Sequence, residues 1–156
     1  MKINIDKIKS NIKIYLDIDG VLFYRNKNSK NRLCLRPNFS EFLYFLSDNF
    51  NYCFWLTCWK EKDINTMLKN LYLYDISQYF KYVNWHINGN YKIDSINMND
   101  DFIWIEDEKH EYETNMLIKN NKLSNFIQTH FWQYPNDLIE VQEQLTWIIK
   151  HRKDKL

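Results

Sequence analysis

Hydrophobic stretches along the chain follow two alternating periods, one typical of buried strands and the other of amphipathic helices. The first, "IKIYLD", is almost entirely apolar, as expected of a strand that is covered on both faces of a parallel sheet. Four later stretches have a similar character and are followed by polar or turn-forming residues. The predicted strands cover residues 12–17, 51–57, 82–87, 101–107 and 125–132.

Between these strands, apolar residues recur with the three- and four-residue spacing of a helix. Phe39, Phe42, Leu43 and Leu46 mark the first helix, and Pro37 suits its first turn. Residues 23–36, by contrast, are interpreted as a polar loop. Further helices are predicted around residues 64–71, 92–98, 109–120 and 138–148.

The alternation of strand and helix predicts the fold class. Strand and helix follow one another five times, which predicts an α/β fold with a parallel sheet, helices on both faces and right-handed crossovers. The chain has 156 residues, of which 45% are hydrophobic and 17% aromatic, enough for a substantial core. With no internal repeat or linker, residues 1–156 are expected to form a single domain.

Charge and cysteine usage exclude several classes of protein. The 21 basic and 20 acidic residues balance to +1, so the chain lacks the overall basic character of most nucleic-acid-binding domains. No apolar run approaches the ~18 residues that span a bilayer, and the N-terminus lacks a signal-peptide block, so no membrane partner is expected. Three cysteines without a C-x-x-C spacing predict reduced thiols in a cytoplasmic compartment and no zinc site. Cys58 is expected to be a small buried side chain.

Acidic side chains end two of the predicted strands. Asp17 and Asp19 end the first, Glu106 and Asp107 end the fourth, and Thr57 ends the second. Because the carboxyl ends of parallel strands meet at one edge of the sheet, where ligands bind, these side chains are expected to converge. Four converging carboxylates repel one another unless a cation lies among them, and hard oxygen ligands of this kind suit Mg²⁺.

Gly20 directly follows Asp17-Ile18-Asp19 in a chain that has only two glycines. Glycine meets two backbone requirements that other residues meet only at a cost: a positive φ angle and the close approach of a ligand. The sequence therefore predicts one of these requirements at Gly20.

Four short motifs lie in order along the chain: "YLDIDGVL", "FWLTCW", "YKIDSI" and "IWIEDE". Together they resemble the four motifs of the haloacid dehalogenase (HAD) superfamily of phosphotransferases. The resemblance covers nearly the whole chain. It implies a three-layer Rossmann-like fold with strand order 5-4-1-2-3, and Mg²⁺-dependent hydrolysis of a phosphomonoester through an aspartyl-phosphate.

The resemblance also implies roles for the acidic residues and for the glycine. Asp17 would be the nucleophile and a metal ligand. Asp19 would be the general acid/base, and its backbone carbonyl would also bind the metal. Gly20 would let the chain turn away beside the phosphate, and Glu106 and Asp107 would hold Mg²⁺ directly or through water.

Two further roles follow from the resemblance. Thr57 would bind a phosphoryl oxygen, and Lys92 would neutralise the charge that accumulates during phosphoryl transfer. The sequence leaves Lys60, Lys62 and Lys81 open as alternatives to Lys92.

Each motif also has a structural interpretation. "DIDG" is a common strand-ending turn, and the acids of "EDE" are favoured by the dipole at a helix N-terminus. Thr57 is also an ordinary β-branched strand residue, and Lys92 an ordinary solvated lysine. The occurrence of all four motifs in order favours the functional interpretation.

The spacing of the motifs, read with the resemblance to HAD enzymes, indicates the size of the substrate. The intervals between the first, second and third motifs leave no room for the cap domain that many HAD enzymes carry, and capless relatives act on large substrates. "WLTCW" and "WIEDE" resemble the HAD domains of RNA-repair proteins most. Small-molecule phosphatases acting on nucleotides or sugar phosphates, and a catalytically inert binding module, remain alternatives.

A basic loop follows the first motif and contains no acidic residue. Its cations are interpreted either as contacts to a phosphate backbone or as an ordinary solvated loop. Gly20 and three of the arginines are the candidate substrate-binding residues. The cations are Arg25, Lys27, Lys30, Arg32 and Arg36, and the three candidate arginines are Arg25, Arg32 and Arg36.

Overall fold

The computed structural model describes residues 9–26, 32–130 and 136–152. Strands and helices alternate through these ranges, and four short 3₁₀-helices lie in the connections. The strands are β1 (Ser10–Leu16), β2 (Phe23–Asn26), β3 (Arg32–Leu35), β4 (Phe50–Trp55), β5 (Phe80–Tyr82), β6 (Phe102–Glu106) and β7 (Phe126–Gln128). The α-helices are α1 (Phe39–Asn49), α2 (Glu61–Asn70), α3 (Glu111–Lys119) and α4 (Asp137–Arg152).

Five of the strands form one parallel sheet in the order β5-β4-β1-β6-β7. The central strand β1 lies between β4 and β6, and Leu16 at its end pairs with Trp55 on one side and Ile105 on the other. The predicted α/β architecture with five parallel strands is therefore confirmed. The register brings the ends of these three strands level, which places their following residues at one edge.

The sheet is buried on both faces, as its apolar strands predict. Successive residues of β1 and β6 alternate between two apolar clusters: Ile14 and Ile105 belong to one, Tyr15 and Trp104 to the other. The first cluster packs under α1, α2 and α4, and the second under α3 and the 3₁₀-helix Lys92–Ser95. The helices therefore cover both faces, and every residue of β6 is buried.

The third predicted strand needs correction. Residues 82–87 do not form a strand: β5 ends at Tyr82, and Trp85–Ile87 is a 3₁₀-helix. The turn is stabilised by a long-range contact, because the indole Nε1 of Trp85 donates a hydrogen bond to the carbonyl of Thr57 at 3.0 Å. The neighbouring helix predicted at 92–98 is also shorter, a 3₁₀-helix at Lys92–Ser95.

The expected polar loop at 23–36 is instead largely a β-hairpin. β2 and β3 pair antiparallel, with Phe23 opposite Leu35 and Arg25 opposite Leu33. The alternation in these short strands is too weak to predict a hairpin, and cross-strand pairing stabilises it. Lys27 and Lys30 lie outside the described residues, as do 131 and 132 of the last predicted strand, whose described part is Phe126–Gln128.

The described helices include none that is both long enough and apolar enough to cross a bilayer.

Candidate active site

Asp17 lies at the centre of the candidate site, directly after β1. Its backbone N–H donates to the carbonyl of Ile105 at 3.1 Å, so β1 and β6 stay paired up to the point where their acidic residues begin. On the other side, Leu56 N–H donates to the carbonyl of Leu16 at 2.9 Å, which brings Thr57 to the same edge. The parallel register therefore delivers the first, second and fourth motifs to one place.

Three carboxylates gather there. Asp17, Glu106 and Asp107 each offer an oxygen atom, and these oxygens all lie within 4.8 Å of one another. Asp17 and Glu106 are buried and Asp107 is half-buried. Asp17 Oδ1 is buried and has no hydrogen-bond partner among the described residues. A buried carboxylate oxygen without a partner costs free energy, so this atom is a candidate metal ligand.

Lys92 is the cation of the cluster. Its Nζ lies 3.1 Å from Asp17 Oδ2 and 2.5 Å from Glu106 Oε2. The other candidate lysines, Lys60, Lys62 and Lys81, are exposed. Of the four, Lys92 is therefore the one that the fold brings to Asp17.

The pKa values of the cluster reflect crowded negative charge in a poorly solvated place. Burial is the largest cause that raises the pKa of Glu106 well above its ordinary value, and the charge of Asp17 adds to it while Lys92 opposes it. Burial also raises the pKa of Asp107. Burial alone would lower the pKa of Lys92, but the charges of Asp17 and Glu106 outweigh it and raise that pKa. One ammonium thus does not balance three carboxylates, and a further cation would.

Lys92 is positioned by a residue that sequence reasoning did not identify. Glu113 on α3 is 2% exposed, and its carboxylate accepts hydrogen bonds from two backbone N–H groups, Ile93 at 3.4 Å and His110 at 2.8 Å. It therefore ties the segment that carries Lys92 to the N-terminus of α3. The available sequence signal was a glutamate in the first turn of a predicted helix, three residues after His110.

Gly20 has the positive φ angle that is one of the two alternatives predicted for it, and the group close to its backbone is the side chain of Asp107 and not a ligand. Its φ angle is +74°, in the left-handed region that favours glycine. A Cβ built on Gly20 would lie 2.2 Å from the Asp107 carboxyl carbon. The Gly20 carbonyl accepts hydrogen bonds from Arg36 Nη2 at 2.9 Å and Thr129 Oγ1 at 2.7 Å. The turn therefore brings the backbone close to Asp107, a candidate metal ligand. The two hydrogen bonds to the Gly20 carbonyl stabilise the turn.

Arg36 is the main correction to the predicted site. It is expected to contact substrate, but it is only 1% exposed. Its guanidinium also donates to the carbonyl of His130 at 2.8 Å and lies 3.6 Å from Asp137 Oδ2. Arg36 thus joins the Gly20 turn to the region before α4, and its role is structural.

Asp19 lies in the loop after β1, and Thr57 lies in the loop between β4 and α2. Asp19 is exposed, and its Oδ2 accepts a hydrogen bond from the indole Nε1 of Trp59 at 2.9 Å. The sequence predicts that its carboxylate converges with the other three, but the cluster among the described residues contains only Asp17, Glu106 and Asp107. Thr57 is 1% exposed, and its hydroxyl accepts a hydrogen bond from Trp59 N–H at 3.4 Å. Sequence reasoning did not single out Trp59.

The remaining predicted residues lie on the hairpin or beside the cleft. Arg25 is exposed on β2, and Arg32 is the first residue of β3. Arg25 does not line the cleft that contains Asp17. Cys58, expected to be buried, is exposed and lines that cleft, because it lies in the turn after β4 and not within the strand.

A cleft of about 220 Å³ leads to the carboxylates. Its walls combine the acidic residues and Lys92 with the side chains of Trp85 and Tyr91. Small-molecule sites usually enclose ~300–1,000 Å³, so this cleft is small for a whole ligand and large enough for a phosphate group.

No protein-family model matches the chain, and no curated protein sequence matches it either.

Proposed function

We propose that the chain is a Mg²⁺-dependent phosphomonoesterase of the HAD type, which works through an aspartyl-phosphate on Asp17. The observation that carries this proposal is the environment of Asp17. One of its oxygens is buried without a partner among the described residues, the other lies 3.1 Å from Lys92, and two more carboxylates lie beside it. The ion pair with Lys92 alone would serve a structural aspartate, whereas the buried oxygen without a partner and the two adjacent carboxylates favour a nucleophile that shares a cation with its neighbours.

The donor set fits Mg²⁺. Asp17, Glu106 and Asp107 offer hard carboxylate oxygens within 4.8 Å of one another, and Asp17 Oδ1 lacks another partner in the described part of the chain. The raised pKa values of Glu106 and Asp107 show that the cluster tolerates full ionisation poorly by itself. Bound Mg²⁺ would neutralise charge on these carboxylates and on the phosphoryl oxygens.

Asp17 and Asp19 have different chemical roles in the proposed reaction. A carboxylate oxygen of Asp17 attacks phosphorus and forms a new P–O bond, while the P–O bond to the leaving group breaks and its electron pair goes to the leaving oxygen. Asp19 gives that oxygen its proton. Water then attacks phosphorus and gives a proton to Asp19, the bond to Asp17 breaks, and phosphate leaves.

Two neighbours stabilise the charge that moves during these steps. Lys92 stays protonated, because its pKa is raised, and it lies between Asp17 and Glu106. The Thr57 hydroxyl accepts a hydrogen bond from Trp59 N–H, so its own proton can be donated to a phosphoryl oxygen.

The topology gives independent support. Counted along the chain, the five parallel strands lie in the order 3-2-1-4-5, which is the expected 5-4-1-2-3 viewed from the other edge. The described part between Asp17 and Thr57 contains the hairpin, α1 and β4. Between Thr57 and Lys92 lie α2, β5 and two short 3₁₀-helices. These elements favour a capless enzyme with an open site.

A large substrate suits the small cleft best, and we propose the phosphorylated end of a nucleic acid. Only the terminal phosphate would enter, while the rest of the chain would lie along the outer surface. Arg25 is exposed on the hairpin that follows the Asp17 loop, where it can meet a backbone phosphate.

A substrate screen tests the proposal. We expect hydrolysis of an aryl phosphate, a nucleoside monophosphate and a 5′- or 3′-phosphorylated oligonucleotide to depend on Mg²⁺ and to stop in excess chelator. An identically purified Asp17→Asn protein controls for contaminating phosphatases. Equal rates with and without chelator would contradict the metal role. Absence of turnover on every substrate would favour an inert binding module.

Kinetics on the phosphorylated oligonucleotide distinguish an enzyme for nucleic-acid ends from a small-molecule phosphatase. Arg25→Gln should raise KM for the oligonucleotide, leave the aryl phosphate nearly unaffected and reduce the salt dependence by roughly 0.7 log units per log unit of salt. Lys62→Gln, an exposed change on α2, is the matched control. If small phosphates are hydrolysed and oligonucleotides are not, the enzyme is a small-molecule phosphatase.

A further inference from the structure

A side-chain hydrogen bond from Trp59 connects two loops of the site. It lies in the turn between β4 and α2, whereas Asp19 lies after β1, 40 positions earlier in the chain. The indole Nε1–H donates a hydrogen bond to Asp19 Oδ2 at 2.9 Å. The nitrogen of an indole is a donor only, so this contact is directional and always gives a hydrogen to the carboxylate.

The indole ring itself is held on its other sides. It stacks on Phe23 with ring centroids 5.8 Å apart and an interplanar angle of 20°, and it packs against the larger apolar cluster. Its backbone N–H donates to the Thr57 hydroxyl. Packing therefore fixes the side chain of Trp59, and its indole N–H points to Asp19 Oδ2.

Asp19 is in the opposite situation. It is exposed, and a solvated aspartate samples several rotamers. A general acid must instead keep its proton within hydrogen-bond reach of the leaving oxygen. The contact to Trp59 restricts the rotamers of Asp19 and engages Oδ2, which leaves Oδ1 as the oxygen that carries the transferable proton.

We infer that Trp59 is a positioning residue that orients Asp19 as the general acid toward the leaving group. The inference rests on the proposed phosphatase function and adds a residue to it. In the first step the proton moves from Asp19 Oδ1 to the oxygen of the breaking P–O bond, and in the second a proton of the attacking water returns to Asp19. Trp59 keeps its own N–H proton throughout.

Substrates whose leaving groups differ in basicity isolate the effect of Trp59 on general-acid catalysis. An alkoxide must be protonated as it leaves, whereas an activated phenolate leaves with little help. Trp59→Phe keeps an aromatic ring that can stack on Phe23 and removes the N–H together with the pyrrole part of the indole. We expect it to lower kcat/KM, which reports the steps up to loss of the leaving group, on an alkyl phosphate by roughly tenfold or more, a part of the ~10²–10⁴-fold that a general acid contributes. On 4-nitrophenyl phosphate we expect kcat/KM to change by less than about twofold, because little protonation is needed, and kcat is not compared because hydrolysis of the aspartyl-phosphate also uses Asp19.

The control is Trp147→Phe on α4, which is 60% exposed and does not line the cleft. It should leave both substrates unaffected. Equal losses on both substrates for Trp59→Phe would mean that Trp59 only supports the loop, and would overturn the inference while leaving the phosphatase proposal intact. A wild-type protein that hydrolyses neither substrate would instead overturn the proposed function and the inference with it.

A second measurement does not depend on activity. In a ¹⁵N-labelled protein, the indole N–H resonance of Trp59, assigned by its loss in Trp59→Phe, should shift in Asp19→Asn, because a carboxylate acceptor is replaced by a weaker one. The Trp147 indole resonance should not shift. An unchanged Trp59 resonance would mean that the hydrogen bond does not form in solution, and the positioning role would be lost.

Discussion

A Cβ atom on Gly20 would lie 2.2 Å from the carboxyl carbon of Asp107, so the turn after β1 and the acid after β6 can approach each other only because residue 20 lacks a side chain. The same residue has a φ angle of +74°. Two independent constraints therefore meet at one of the two glycines in the chain.

The first prediction follows from this contact. Gly20→Ala should lower the free energy of unfolding by at least about 1–2 kcal/mol, the cost of the left-handed conformation alone, and should also displace Asp107 and weaken Mg²⁺ binding. Thermal denaturation and a magnesium titration measure both effects.

Tyr72 provides the matched comparison for the conformational part. It also has a positive φ angle, of 57°, but its side chain is 93% exposed. Tyr72→Gly should therefore be neutral or stabilising by up to about 1 kcal/mol. A Gly20→Ala protein with wild-type stability and magnesium affinity would contradict this account of the turn.

Asp17→Asn should abolish turnover and leave the protein folded. An amide cannot form an acyl-phosphate, so we expect kcat to fall by at least about 10³-fold. Without metal, the melting temperature should not fall and is expected to rise, because one charge is removed from a buried cluster with excess negative charge.

Steady-state kinetics and calorimetry on the same preparation of Asp17→Asn measure its turnover and its melting temperature. A variant with near-wild-type turnover would place the nucleophile elsewhere. A large loss of melting temperature without metal would mean that the ion pair with Lys92 stabilises the fold more than the repulsion from the neighbouring carboxylates destabilises it.

The stability of the metal-free protein should depend on pH through Glu106 and Asp107. Both have raised pKa values in the folded state, chiefly because of burial. Their contribution to the free energy of unfolding is therefore fully present below the ordinary carboxyl pKa of about 4.3 and is lost as pH rises toward neutrality through the folded values. Lys92 stays charged throughout this range because its pKa is raised.

Melting temperatures across this pH range, in chelator and then in excess Mg²⁺, test the linkage. The difference between wild type and Glu106→Gln isolates the carboxylate, since the variant lacks its titration. Wild type should lose stability relative to the variant as pH rises in chelator, and Mg²⁺ should stabilise wild type most at the higher pH values. A difference that does not vary with pH would argue against the raised pKa of Glu106.

Arg36 should matter for stability and not for substrate affinity. It is buried and joins the Gly20 carbonyl to Asp137. Arg36→Met should lower the free energy of unfolding by about 3–5 kcal/mol, because it leaves Asp137 as a buried charge without its partner. Chemical denaturation measures the loss.

Lys62→Met, an exposed change on α2, should alter the free energy of unfolding by less than about 0.5 kcal/mol. Adding Asp137→Leu to Arg36→Met should recover part of the loss, since both buried charges are then absent. A stable Arg36→Met protein with a raised KM for an oligonucleotide would restore the original expectation of a substrate contact.

Much of the candidate site could be predicted from local pattern. Apolar runs that end in acids identify buried parallel strands and the edge where their ends meet, so the convergence of Asp17, Glu106 and Asp107 follows from topology. A glycine after two aspartates in a glycine-poor chain indicated a backbone requirement, and the φ angle of Gly20 shows it. These features depend on near neighbours in sequence or on strand order, which periodicity records.

Tertiary structure decided the features that depend on long side chains reaching across the fold. Arg36 and Arg25 look alike in sequence, yet one is buried against Asp137 and the other is exposed on a strand. Trp59 reaches Asp19 across 40 positions, and Glu113 holds the segment of Lys92 from another helix. The direction of an arginine, tryptophan or glutamate side chain is determined by which distant backbone and charges satisfy its hydrogen bonds, and no local pattern contains that information.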